Sequence, residues 1–179
     1  MAIRLSKEAE KRVAELKLLY PDAKSTVMPA LFIAQEELGC VSDEAILWVA
    51  EKSGVAPVHV RELATFYSMY QSAPVGRYHF QVCGTLSCAL SGSSALLEYL
   101  AQRFGVPPGQ PSADGMWSYA QVECLGACGD GPVVQINDTY FEKVSVERLE
   151  RLIAEIEKGQ PDLSLSAINQ RLGGGSTKN

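Results

Sequence analysis

The sequence is sparing in histidine, with two, and in cysteine, with five among 179 residues. Five is far below the cysteine density of secreted disulfide scaffolds, and the count is odd, so a disulfide framework is excluded. Basic residues are outnumbered, 16 against 21 acidic, for a net charge of −5. A nucleic-acid binder would normally carry the opposite balance. No apolar run approaches the roughly 18 residues that a membrane-spanning helix needs. The opening MAIRLSKEAEKR lacks the apolar core of a signal peptide, so the chain is expected to stay in a reducing compartment. There, clustered cysteines more often bind metal or do redox chemistry. No Ser/His/Asp set or carboxylate pair stands out, which leaves hydrolysis without support. No strand leads through G-x-G-x-x-G into a helix, so a dinucleotide site is not expected in this chain.

What is present suits a globular protein. Hydrophobic residues are 46% and charged residues 21%, enough for a core without covalent staples. Ala9, Val13, Leu16 and Tyr20 recur at helical spacing over 6–20, and Pro21 follows. A second helix is predicted over 25–38, with Pro29 in its first turn and Gly39 after it. Ser42 caps a third that ends near Gly54. Pro57 opens a fourth that runs to about Tyr70. Ser72 to Gly76 is a turn-rich junction. Beyond it the period changes to two: Tyr78, Phe80 and Val82 alternate with His79, Gln81 and Cys83. A helix over 93–104 follows, then strands at Trp117–Glu123, Val133–Ile136 and Thr139–Lys143. The last two form a hairpin about Asn137-Asp138. Ser145 caps a final helix striped by Leu149, Leu152, Ile153 and Ile156. The second half therefore reads β-α-β-β-β-α. Three parts are expected: a helical domain over 1–74, an α/β domain over 75–159 and a loose tail over 160–179.

Four cysteines fall into two tight pairs, Cys83-x4-Cys88 and Cys124-x3-Cys128, with 35 residues between them. Cys83 ends one predicted strand and Cys124 ends another. If those strands are neighbours, both loops open at one sheet edge and four thiolates can surround one small object. A [2Fe–2S] cluster asks for four thiolates, one pair per iron. Gly84, Gly126, Gly129 and Gly131 would let backbone N–H groups approach the sulfurs. A four-cysteine zinc site competes, since x3 suits a zinc knuckle and x4 sits at its limit. Plain structural or redox thiols are the third reading. A thioredoxin-type dithiol would need C-x-x-C, and plant-type ferredoxin spacing would need C-x4-C-x2-C; neither occurs.

The residues around these pairs carry a resemblance. Val82-Cys83-Gly84-Thr85-Leu86-Ser87-Cys88, Val122-Glu123-Cys124-Leu125-Gly126-Ala127-Cys128 and Gly131-Pro132-Val133 resemble the thioredoxin-like [2Fe–2S] family. Within it they look most like the small [2Fe–2S] subunit of NADH:quinone oxidoreductase, respiratory complex I. Ala64-Thr65-Phe66-Tyr67, Asn137-Asp138 with Tyr140, and the N-terminal helices extend the likeness over roughly residues 10–157. The resemblance implies an α+β fold: an N-terminal four-helix bundle, then a thioredoxin-like α/β [2Fe–2S] domain. It implies that Cys83 and Cys88 hold one iron and that Cys124 and Cys128 hold the other. The implied role is electron transfer inside an oxidoreductase complex. FMN and NADH would sit on a larger partner subunit, with other peripheral-arm subunits nearby. No nucleic acid and no membrane insertion is implied, and the place is cytoplasmic, at the inner face of the bacterial membrane. Similar subunits serve NAD-reducing hydrogenases and NAD-linked formate dehydrogenases; a zinc-stabilised adaptor is the reading from another class. One departure stands out. The family commonly has Ala-Pro where this chain has Gly131-Pro132, a change expected to bear on loop stiffness without touching a cysteine.

The remaining candidates have plainer expectations. Cys40 reads as a partly buried structural thiol in the helical domain. His59 has no assigned role. His79 shares a strand face with Cys83 and reads as a surface or interface residue. Phe66, Tyr67 and Tyr70 read as core packing, or as interface where exposed. Trp117 and Tyr119 share one strand face. Glu123 and Asp130 flank the second cysteine pair and read either as charges near the cluster or as solvated loop residues.

Overall fold

The structure is a computed structural model that describes residues 3–163. The chain divides into two compact units, one ending at Pro74 and the next beginning at Val75.

Among the described residues, the first unit holds four α-helices whose ends follow the capping chemistry of the sequence. Helix α1 spans Lys7–Leu19, and the Ser6 hydroxyl at its start accepts the Ala9 N–H at 3.1 Å. A 3₁₀ turn over Ala23–Thr26 leads into α2, Val27–Leu38. Gly39, at φ +77, ends α2 in the left-handed region, where glycine meets no Cβ penalty. Helix α3 spans Asp43–Ser53 between the Ser42 cap and Gly54, and α4 spans Pro57–Phe66 with its proline in the first turn. Val13, Leu16, Val27, Leu31, Ala34, Val49 and Val60 are buried, and the small residues Ala9, Ala30 and Ala45 beside them let helices approach closely. Helix α4 stops four residues short of Tyr70. The chain then folds back, Tyr70 is buried, and its hydroxyl donates to the Met28 carbonyl at 3.0 Å. Phe66, expected in the core or at an interface, is 79% exposed.

The second unit is a four-stranded sheet: β1 Tyr78–Cys83, β2 Trp117–Val122, β3 Val134–Ile136 and β4 Thr139–Phe141. Its order is β2-β1-β3-β4. Strands β1 and β2 are parallel, with Tyr78 opposite Trp117 and Cys83 opposite Val122; the other pairings are antiparallel. Parallel neighbours need a crossover. It is made by α5, Leu86–Leu90, and α6, Ser93–Phe104. Helix α7, Val146–Gly159, follows the hairpin. Tyr78, Phe80 and Val82 face a core with Trp117, Tyr119, Leu96, Leu100, Leu149 and Ile153. There Phe104 stacks on Trp117 with ring centroids 5.2 Å apart.

Two expectations need correction here. His79 is buried, not a surface residue. Its Nδ1 lies 2.8 Å from the Ser118 hydroxyl, and burial pushes its pKa down to about 4. The start of the expected loose tail is fastened. Arg77 donates to Gln160, the Tyr78 hydroxyl donates to the Pro161 carbonyl at 2.9 Å, and Asp138 N–H donates to Leu163 O at 3.0 Å. The rest of that tail lies outside the described residues.

Candidate metal centre

Because β1 and β2 are parallel neighbours, their C-terminal ends lie at the same edge of the sheet. Both cysteine pairs begin there. Cys83 is the last residue of β1, and Cys124 stands two residues past the end of β2. Gly84 N–H donates to Val122 O at 2.9 Å, which carries the ladder one step beyond the strands and seats the two loops side by side. Cys83 N–H donates to Val133 O at 3.1 Å, which ties in the segment after the second pair.

The sequence reading missed α5. Cys88 lies on this five-residue helix and is buried by it. Cys83 and Cys88, each 2% exposed, pack with Val133, and Leu125 and Ala127 close over them. Cys124 and Cys128 are exposed, with their sulfurs 3.3 Å apart. Cys128 opens a 3₁₀ turn ending at Asp130, and the Gly131–Pro132 bond that follows is cis. Position 131 abuts a cysteine after all. A methyl added there would stand 3.3 Å from the Cys88 sulfur, so the departure from Ala-Pro opens space beside a thiol.

Hydrogen bonding sets the two members of each pair apart. Burial works to raise the Cys83 thiol, but donors outweigh it and hold its pKa below the ordinary thiol value. They are the Thr85 hydroxyl and the backbone N–H groups of Leu125 and Thr85. Cys88 is pushed up by burial and by Cys83. Cys124 is pulled down by the Gly126 N–H, then by Cys128 and Thr85, and Cys128 is pushed up by Cys124.

Two sulfur pairs, N–H groups aimed at sulfur and an apolar lining are the donor set that a two-iron cluster uses, with one pair for each iron. Among the described residues no three His, Cys, Asp or Glu side chains, the four cysteines included, are gathered closely enough to hold a metal ion. Cys40 is half-buried in the helical unit. His59 is paired with Glu62 at 3.0 Å in that unit. Asp130 is ion-paired with Lys143 at 2.8 Å, which offsets its charge, and Glu123 is exposed.

Comparison with known proteins places the chain in a family. A NADH-quinone oxidoreductase subunit 2 from Thermus thermophilus is 44% identical over 138 residues, covering 76% of this chain and 76% of that one. A NADH-quinone oxidoreductase subunit from Rhizobium meliloti is 44% identical over 134 residues, covering 75% of this chain and 80% of that one. An air-oxidised NAD+-reducing [NiFe]-hydrogenase structure superposes with a TM-score of 0.64 at 24% identity, covering 75% of this chain and 23% of that one; this likeness is one of fold. The model of the thioredoxin-like [2Fe–2S] ferredoxins matches residues 13–157, and the chain belongs to that family.

Proposed function

We propose that Cys83, Cys88, Cys124 and Cys128 hold one [2Fe–2S] cluster, and that the chain is the electron-transfer subunit carrying it in the NADH dehydrogenase module of respiratory complex I. The observation that carries this reading is the convergence of two cysteine pairs at one sheet edge, in a chain 44% identical to NADH-quinone oxidoreductase subunits. When bound, the cluster supplies one-electron storage. The protein's part is to hold it and set its surroundings. Cys83 and Cys88, both buried, would hold one iron, and Cys124 and Cys128, both exposed, would hold the other. The N–H groups of Leu125, Gly126 and Val133 stabilise negative charge on sulfur, and Leu125 and Ala127 limit water at the inner pair.

NADH is oxidised elsewhere, on a larger partner that binds NADH and FMN and passes single electrons to this chain. The helical bundle and the cluster domain together form a peripheral subunit on the cytoplasmic side of the membrane. Among the described residues no helix is long and apolar enough to cross a bilayer. The hydrogenase likeness is of fold alone, so it does not displace this reading.

The test is spectroscopic. Anaerobically purified chain should be red-brown and give a rhombic spin-one-half signal after dithionite. A colourless protein with one zinc per chain would end the proposal. Isolation of the native complex should recover a flavin-bearing subunit with a quinone-reducing assembly; recovery with a hydrogenase instead would reassign the parent enzyme.

A further inference from the structure

Thr85 sits at the N-cap of α5, with φ −74 and ψ 163. In that backbone shape a threonine hydroxyl ordinarily accepts a hydrogen bond from the second or third N–H of the helix. Thr85 makes no such bond. Its Oγ1 instead stands 3.0 Å from the Cys83 sulfur. One side chain therefore gives up its local partner and turns to a proposed ligand sulfur. The surrounding donors are backbone N–H groups, of Leu125, Gly126 and Val133. A substitution cannot delete those, but it can delete a hydroxyl.

We propose that the Thr85 hydroxyl sets the reduction potential of the cluster, as a positioning and tuning residue that acts through the Cys83 sulfur. The inference rests on the ligand assignment above. Once all four sulfurs bind iron they carry no proton, so the hydroxyl can only donate. It has one hydrogen, which the 3.0 Å contact directs at the Cys83 sulfur. An added electron raises the negative charge on the cluster and its sulfurs. A donated hydrogen bond therefore stabilises the reduced form more than the oxidised form and raises the potential. Burial of Cys83 beside Val133 and Leu125 lowers the local dielectric, which strengthens the effect of one dipole.

The experiment compares the cluster-loaded full chain with Thr85→Val, Thr85→Ser and Thr85→Ala. Each is titrated with dithionite against mediator dyes, and the potential is read from the reduced-state signal, with iron and sulfide counted per chain. Thr85→Val keeps the shape and loses the hydroxyl. It should load the same iron and shift the midpoint downward, and Thr85→Ser, which restores the donor, should return it toward the parent value. Thr85→Ala serves if the valine variant does not load, and should shift in the same direction. A loaded Val or Ala variant at the parent midpoint overturns the inference, as do Val and Ser variants that shift alike. So does loss of iron from both hydroxyl-free variants while the serine variant loads, because the hydroxyl would then be needed to build the site. In all these cases the cluster assignment stands. A parent chain that never holds iron and sulfide would instead remove the functional proposal itself.

Discussion

The backbone N–H of Gly126 donates to the Cys124 sulfur at 3.4 Å, and Gly126 reaches that position at φ +85. Nothing lies within 4 Å of a methyl placed there, so the cost of a side chain is conformational and not steric. Gly126→Ala should strain the loop by about 1–2 kcal/mol and disturb the strongest donor to Cys124. Iron should be lost to a chelator faster than from the parent, while the far-ultraviolet spectrum is unchanged. Equal rates of iron loss would show that this N–H is not needed to hold the sulfur.

The four proposed ligands should differ from the fifth cysteine. Cys→Ser at 83, 88, 124 or 128 is expected to weaken or abolish the visible absorption of the cluster. Cys40→Ser should leave it intact, since Cys40 belongs to the helical unit. Bleaching by Cys40→Ser, with colour retained in Cys83→Ser, would contradict the assignment.

Buried His79 should leave a mark on the pH dependence of stability. In the folded chain it takes up a proton only near about 4, against 6.5 for an ordinary imidazole. Between those values the unfolded chain holds more protons, so this group costs stability as the pH falls from 6.5 toward 4. The loss between pH 7 and pH 5 should be about 2 kcal/mol. Urea unfolding at both values should show it, and His79→Gln should flatten that part of the slope. An unchanged slope in the variant would mean that His79 titrates normally.

Two glycines near β1 make a contrast in packing. A methyl at Gly76 would fall 2.4 Å from the Trp117 backbone, which cannot step aside. The three atoms nearest a methyl at Gly84 all belong to the flexible side chain of Gln121, an exposed residue that can swing away. Gly76→Ala should therefore destabilise the sheet unit by about 1–3 kcal/mol, and Gly84→Ala by much less. Trp117 fluorescence during urea unfolding, in a Trp48→Phe background, separates the two. Equal midpoints would refute the contrast.

The parts of the fold that were legible in the sequence are those where chemistry and period coincide. Ser42 and Ser145 announced helix starts because a hydroxyl there satisfies an orphan N–H. The alternation from Tyr78 to Cys83 announced β1, and its end located the first sulfur pair. Helix α5 was not legible, since five residues span little more than one turn and show no period. Alternation put His79 on the face of Cys83 but could not say that this face is covered. Of the two readings for Phe66 the core is excluded, because helix α4 ends at that residue and leaves it exposed. Thr85 was hidden with α5, and only the folded chain shows its hydroxyl directed at sulfur.

The parallel pairing of β1 with β2 also sets an order of events. The two cysteine pairs are 35 residues apart in the chain and meet only when Cys83 comes into register with Val122. During synthesis the first pair leaves the ribosome well before the second exists, and the crossover through α5 and α6 must close before the pairs can share a metal. A half-made chain can offer iron two thiols but never four. Retention of a cluster on the proposed ligands would therefore act as a proofreading step, which a chain passes only after its parallel strand pairing is made.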